Sequence, residues 1–213
     1  MTEAVVPSRQ KEWWRRAGLV LHDPQPVFVA LRDETEEDTA ARAEPILAIV
    51  IVAGIAIVLS SSAAAHLYDD SSFDGLLVAV WAFLAGALYG VVIYWLGGLL
   101  LHFAVLALGS RAPYQRSRQL LAFALPPLAL SLVLWLPRLA LYGGDSFRYD
   151  GADEGTGNAV FGWLQVAFAL WALGLLVVGV RTVERWTWAR AAGAVAAAAV
   201  LPALIALGAY GVI

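Results

Sequence analysis

Apolar residues follow two different rhythms along this chain. In the first 44 residues they recur at helical spacing among charged ones, and beyond that they come as long, almost unbroken runs. From Arg9 to Leu21, Trp13, Trp14, Ala17, Val20 and Leu21 share one face of a helix, while Lys11, Glu12, Arg15 and Arg16 occupy the other. Two tryptophans above basic residues suit a helix lying in the lipid headgroup layer. The same face would equally serve to pack the helix on the ends of membrane spans. Asp23 followed by Pro24 reads as an N-cap and a first helical position. A second short helix follows, with Val27, Phe28 and Leu31 along one side. Asp33, Glu34, Glu36, Glu37 and Asp38 then form an acidic run, read as a solvated linker. A docking patch for a basic partner is the sharper alternative.

Five apolar segments succeed one another: Pro45–Ala65, Leu76–Leu108, Gln119–Tyr142, Ala159–Val180 and Ala191–Ile213. A helix of about 20 apolar residues crosses the hydrocarbon core of a bilayer. The pattern predicts an all-α integral membrane protein, a five-transmembrane-helix bundle (45–213) preceded by a cytoplasmic segment (1–44) with short amphipathic helices. The second segment is about 50 Å long if helical throughout. It is expected to be one helix that tilts or extends past the hydrocarbon, with a bend at Gly97-Gly98. Two helices joined by a turn would leave bare backbone in lipid, since "YWLGGLLLH" has no polar residue at its centre.

Composition agrees with this class. Hydrophobic residues make up 61% and charged residues 15%, against about half and a quarter in soluble domains. No cysteine is present, which excludes disulfides and thiolate metal sites. A net charge of -3 speaks against nucleic acid as a partner. The basic residues are thirteen Arg to one Lys, with Ala abundant, a composition that points to a GC-rich prokaryotic genome.

Charge also sets the topology, because Lys and Arg accumulate on the cytoplasmic side of membrane proteins. Arg9, Lys11, Arg15, Arg16, Arg32 and Arg42 precede the first segment; Arg111, Arg116 and Arg118 follow the second; Arg181, Arg185 and Arg190 follow the fourth. Only Arg138 and Arg148 fall on the other side, with Asp69, Asp70, Asp74, Asp145, Asp150, Asp153 and Glu154. The N-terminus is expected inside and the C-terminus outside, in a prokaryotic inner membrane. Arg111, Arg116 and Arg118 then mark a cytoplasmic turn and can pair with lipid phosphates; a dedicated anion or partner site is the alternative. A cleaved signal peptide is not expected at "SSSAAAH", given the 44 mostly polar residues ahead of the first apolar run.

Three stretches carry a resemblance. Asp23, Pro24, Val27 and Phe28 lie ahead of the first segment; "GGLLLHFAVLALGSRAPYQRSRQLLAFALPP" joins the second to the third; "ALWALGLLVVGVRTVERWTWARAAGAV" joins the fourth to the fifth. Together they resemble the Yip-domain family, polytopic membrane proteins named after Rab-GTPase-interacting members of eukaryotic secretory membranes. The resemblance covers Trp13 to the C-terminus and implies five spans with a cytoplasmic N-terminus. It implies vesicle trafficking and Rab binding for eukaryotic members. The Asp-Leu-Tyr-Gly-Pro element of those members is missing here, where "ARAEPILAI" stands, and that argues against Rab binding.

Reactive constellations are scarce. Gly-x-Ser-x-Gly, His-Glu-x-x-His and a Gly-Lys-Ser/Thr phosphate loop are all missing from the sequence, and His22, His66 and His102 sit on separate segments. No enzyme activity, metal or cofactor is expected. Ionisable or polar groups within the apolar segments reduce to His102, Arg138 and Gln165. Arg138 is expected to snorkel, Gln165 to bond another helix, and His102 to be an interfacial histidine, with pH sensing or headgroup binding as its alternative.

The remaining signals concern packing. Gly86 and Gly90, extended by Ala82, form a small-residue stripe, as do Ala56, Ser60 and Ala64. Such stripes let helices approach closely, within one chain or in a homo- or hetero-oligomer. Pro126 and Pro127 remove two backbone donors and are expected to kink the third segment. The leading expectation is a non-enzymatic scaffold or adaptor in the bilayer, recruiting a protein partner at its cytoplasmic face through Trp13, Trp14, Arg15, Arg16 and the basic turns. The alternative is a permease or lipid-handling protein for an uncharged or amphipathic solute, using the proline kink and the Gly97–His102 region.

Overall fold

The structure is a computed structural model and describes residues 13–33, 43–61, 63–70, 72–148, 151 and 155–209. Every secondary-structure element among these residues is a helix or helical turn. Helix α1 runs Trp13–His22, α2 Pro24–Asp33 and α3 Ala43–Leu59. A 3-10 turn at Ala64–Asp69 leads to α4, Gly75–Ala107. Then come α5 (Tyr114–Ala124), α6 (Pro126–Leu130) and α7 (Trp135–Tyr142), the last two separated by a 3-10 turn at Ser131–Leu134. A 3-10 turn at Gly143–Phe147 precedes α8, Thr156–Glu184, and α9, Trp188–Ala209. The acidic run Glu34–Asp38, with Arg9 and Lys11, lies outside the described residues.

Among the described residues, three stretches are long and apolar enough to cross a membrane: Gly75–Ala107, Tyr114–Phe147 and Thr156–Glu184. Two shorter apolar helices, Ile46–Leu59 and Trp188–Val200, accompany them. Leu76, Leu84 and Leu88 of α4 are 72%, 63% and 68% exposed, and Trp163 of α8 is 74% exposed. An apolar surface of this extent needs lipid around it.

Caps and prolines explain where the helices stop. Asp74 accepts from the Leu77 amide at 2.8 Å and so satisfies one of the free N–H groups at the start of α4. At the other end Gly109 takes φ 91, and the Ser110 amide reaches back to the Val105 carbonyl at 3.0 Å. That is the glycine-terminated C-cap of many helices. Helix α8 ends in the same way, but on Arg185, at φ 55, with the Trp186 amide bonded to the Arg181 carbonyl at 3.1 Å. The left-handed conformation costs a non-glycine residue about 1–2 kcal/mol.

Pro126 and Pro127 cannot donate to the carbonyls one turn before them. The helix therefore breaks at Leu125, whose amide turns to the Ala122 carbonyl at 3.2 Å. Both prolines are buried at this joint. In α4 the departure from regular helix is a π turn at Ile93–Gly97, directly before Gly98.

The closest helix approach is between α3 and α4. A Cβ on Gly54 would lie 2.1 Å from the Gly86 carbonyl oxygen; one on Gly86, 2.5 Å from Ile55 Cα; one on Gly90, 2.4 Å from the Val50 carbonyl oxygen. Glycine is the residue that allows such a seam.

The bundle has two distinct ends. One gathers α1, α2, the C-terminus of α4, the N-terminus of α5 and the α8–α9 corner, and carries nearly all the described arginines. The other is built from the turns at 64–69 and 143–147, where Tyr68 meets Phe147 edge-on at 5.6 Å and Trp135 stacks on Phe147 at 5.4 Å. Asp69, Asp70, Asp74 and Asp145 lie here.

Helices α1 and α2 belong to the body of the protein. Val20 and Phe28 are 0% exposed and join Val27 and Leu31 in a core with Ile46, Val50, Leu120 and Val180. Gly179 of α8 leaves the space that Phe28 fills, since a Cβ there would be 2.8 Å from the Phe28 ring.

Candidate functional site: the arginine-rich end of the bundle

The site begins at the π turn of α4. One extra residue per turn brings Tyr94 and Trp95 to the side on which α5 lies. Gly98 lets Arg118 of α5 cross close by, because a Cβ at Gly98 would be 2.5 Å from Arg118 Cγ. The Arg118 guanidinium carbon then sits 3.9 Å from the Trp95 ring centre, 4.8 Å from Tyr114 and 5.3 Å from Tyr94. Tyr114 precedes Arg118 by one helical turn and donates its hydroxyl to the Trp95 carbonyl at 2.6 Å. The loosened π turn is thereby tied to α5. Each stacked cation–ring contact contributes about 0.5–2 kcal/mol according to its burial.

His102 lies one turn further along α4, edge-on to Tyr114 at 5.8 Å and beside Phe103 at 6.0 Å. Its Nδ1 and the Nε of Arg118 are shielded from solvent without a hydrogen-bond partner. The structure thus brings His102 and Arg118 into one aromatic cluster. It leaves Arg111 exposed on the turn and Arg116 half-buried on another face of α5.

A second set of arginine–aromatic pairs stands at the α8–α9 corner. Arg181 lies 4.4 Å from the Trp188 ring and Arg190 lies 4.2 Å from the Trp186 ring. Arg190 donates to the Leu108 carbonyl at the C-terminus of α4, where helix geometry leaves carbonyls free and a cation is favoured. Asp33, at the end of α2, points into this basic region. Its carboxyl is held below the ordinary carboxylate range, first by the hydrogen bond from Arg32 and then by the charges of Arg32, Arg185 and Arg116.

Arg15 is exposed and Arg16 half-buried on α1. The side chains of Trp13 and Trp14 lie outside the described residues. Gly86 and Gly90 stand apart from this end, in the seam with α3, and Pro126 and Pro127 form the joint between α5 and α6.

Sequence reasoning missed Tyr94, Trp95 and Tyr114 as a cage, Gly54 as a member of the seam, and the pairing of Arg181 and Arg190 with Trp188 and Trp186. Only the Tyr114–Arg118 spacing, one helical turn, was visible in one dimension. No group of three or more His, Cys, Asp or Glu that could hold a metal ion occurs among the described residues.

At the opposite end, Arg138 stacks on Trp135 at 4.8 Å and donates to Asn158 at 3.3 Å. Gln165 of α8 donates to the Ser131 hydroxyl, in the 3-10 turn after α6, at 3.0 Å, and that hydroxyl in turn donates to the Leu128 carbonyl at 2.7 Å.

The long apolar helices and the two-ended bundle define an integral membrane protein of the all-helical class. The family model of the Yip1 domain matches residues 18–210, nearly the whole chain, and the protein belongs to the Yip1-domain family. Neither the curated proteins nor the solved structures include a significant match.

Proposed function

We propose that this Yip1-domain protein is a non-enzymatic scaffold or adaptor of a prokaryotic cytoplasmic membrane, recruiting a protein partner at its arginine-rich end. In this reading α3 and α9 also cross the bilayer, giving five spans, with the N-terminus inside and the C-terminus outside. Helix α3, at 17 residues, reaches about 25 Å, close to the hydrocarbon thickness. The inside assignment follows from the arginines gathered at one end. Arg148 at the other end has Asp145 within 3.7 Å.

The observation that carries the reading is the docked pair α1–α2. Val20, Val27, Phe28 and Leu31 are spent on the bundle, and the pair adds the exposed Arg15 to the exposed Arg111 and the half-buried Arg116, while Arg32 is half-buried and bonded to Asp33. That surface is fixed and basic, and it suits an acidic partner. A non-enzymatic role accords with the family's membrane proteins and with the stacking contacts that immobilise the charged groups.

The test is affinity recovery of the full-length protein from native membranes. A stoichiometric partner should be recovered and should be lost in Arg15→Glu/Arg111→Glu, both exposed positions. Deleting residues 1–44 is the poorer test, since it strips Val20, Val27, Phe28 and Leu31 from the core. Recovery of the protein alone, from wild type and variant alike, would contradict the adaptor reading.

A second reading, a permease or lipid-handling protein for an uncharged or amphipathic solute, draws on a cavity of about 250 Å³ at the opposite end. Ser60, Arg138, Asn158 and Gln165 supply its polar lining, with Trp135 and Phe161 as apolar wall. Solute flux or lipid scrambling in liposomes, lost in Gln165→Leu, would favour it.

A further inference from the structure

A cavity of about 290 Å³ lies between α2 and the last turn of α8, lined by Gln25, Val29, Arg181, Thr182, Arg185 and Trp186. No carboxylate is among its lining residues, and two guanidinium groups one helical turn apart are. Arg181 is held with its face on Trp188 at 4.4 Å, which leaves its in-plane N–H donors for an acceptor. Its Nε is closed off from solvent and unpartnered. Asp33, whose carboxylate feels the charge of Arg185, is already engaged by Arg32 through two bonds of 2.7 and 3.0 Å.

The backbone adds an independent observation. Arg185 occupies the left-handed position that ends α8, at φ 55, where glycine or asparagine is at ease and arginine is strained. Strain of this kind persists where a side chain is needed at the site. The guanidinium of arginine is a planar fork of donors matched to the oxygens of a phosphate, and two arginines line this cavity. Gln25 brings an amide from the facing helix.

We propose that this cavity is a phosphate-binding site in which Arg181 and Arg185 together hold one phosphate group, from a lipid headgroup or from a soluble phosphorylated molecule. Because Gln25 and Val29 belong to α2, and Arg181 and Arg185 to the last turn and the cap of α8, an anion bound there clamps the N-terminal helices onto the bundle. This site is independent of the adaptor surface at Arg15 and Arg111, so either proposal can fail without the other.

The experiment is backbone hydrogen exchange of residues 24–33 in the full-length protein, reconstituted in nanodiscs. In phosphatidylcholine discs, inorganic phosphate or pyrophosphate is titrated; in a parallel arm, phosphatidylglycerol or phosphatidic acid replaces part of the lipid. Occupancy at ten times Kd should slow exchange of α2 about tenfold. Slowing by the soluble anions assigns the site to a free phosphate compound, and slowing by the anionic lipids alone assigns it to a headgroup. Either result must vanish in Arg181→Gln/Arg185→Gln. Arg185→Gly provides the variant that folds in any case, since glycine relieves the φ 55 strain. It should keep or raise thermal stability while losing most of the response. No slowing in either arm, or an undiminished response in Arg185→Gly and in the double variant, would overturn the proposal.

Discussion

Gly86→Ala is the smallest change that probes how the bundle is held together. The added Cβ would stand 2.5 Å from Ile55 Cα and 2.6 Å from Ile55 Cγ1, whereas carbon atoms in contact prefer about 3.5–4.0 Å. Helices α3 and α4 must therefore part by about 1 Å, or the alanine must be accommodated under strain. Overpacking of this sort costs about 1–3 kcal/mol. Alanine also raises helix propensity by up to about 1 kcal/mol, so the single variant alone mixes two effects. Gly174 supplies the control: it lies within α8, and nothing lies within 4 Å of the position a Cβ would take. The propensity gain is common to both substitutions. Gly86→Ala should thus be less stable than Gly174→Ala by about 1–3 kcal/mol, the overpacking cost alone. Reversible unfolding in mixed micelles, followed by circular dichroism for both variants, measures the difference. Equal stabilities, or a more stable Gly86→Ala, would refute the reasoning that backbone contact at this seam requires glycine.

Other consequences follow from the same geometry. Phe28→Ala removes a ring that is fully buried against Gly179 and should cost about 3–5 kcal/mol. Limited proteolysis should then cut within residues 24–33, and resistance equal to wild type would mean that α2 is not anchored by this ring. Arg118→Lys keeps the charge but loses the planar group stacked 3.9 Å from Trp95, and should cost about 1–2 kcal/mol. An unchanged melting temperature would show that charge alone suffices at this position.

The helical class and the outlines of most elements were legible because a bilayer leaves few options. Backbone groups in lipid must be bonded internally, so an apolar run becomes a helix. Asp23-Pro24 marked the start of α2, and Val27, Phe28 and Leu31 marked its inner face, because a cap and a 3.6-residue period are local signals. Local signals failed where distant residues decide. The third apolar run was read from Gln119, yet its helix begins at Tyr114, following Pro113, and buries Ser117 and Gln119 among neighbouring helices. The small-residue stripe of the first run was read at Ala56, Ser60 and Ala64. The closest contact falls instead on Gly54, since the crossing point of two helices is set by the rest of the bundle. Hydropathy marked five runs; among the described residues three stretches meet the length for crossing, and the first and fifth runs appear as the shorter apolar helices Ile46–Leu59 and Trp188–Val200. Arg118 was legible as a charge at a turn. Its aromatic cage was not, because Tyr94 and Trp95 reach it only through the π turn and the close pass at Gly98.

The proposed orientation, arginine-rich end inside and the turns at 64–69 and 143–147 outside, is open to direct mapping because the chain has no cysteine to interfere. Single cysteines at Gln115, Thr187 and Ser72, all exposed positions, would be labelled in intact cells with a thiol reagent that does not cross membranes. The account predicts labelling of Ser72→Cys alone, with Gln115→Cys and Thr187→Cys reacting only after the membrane is permeabilised. Labelling of all three in intact cells, or of Gln115→Cys or Thr187→Cys without Ser72→Cys, would contradict it.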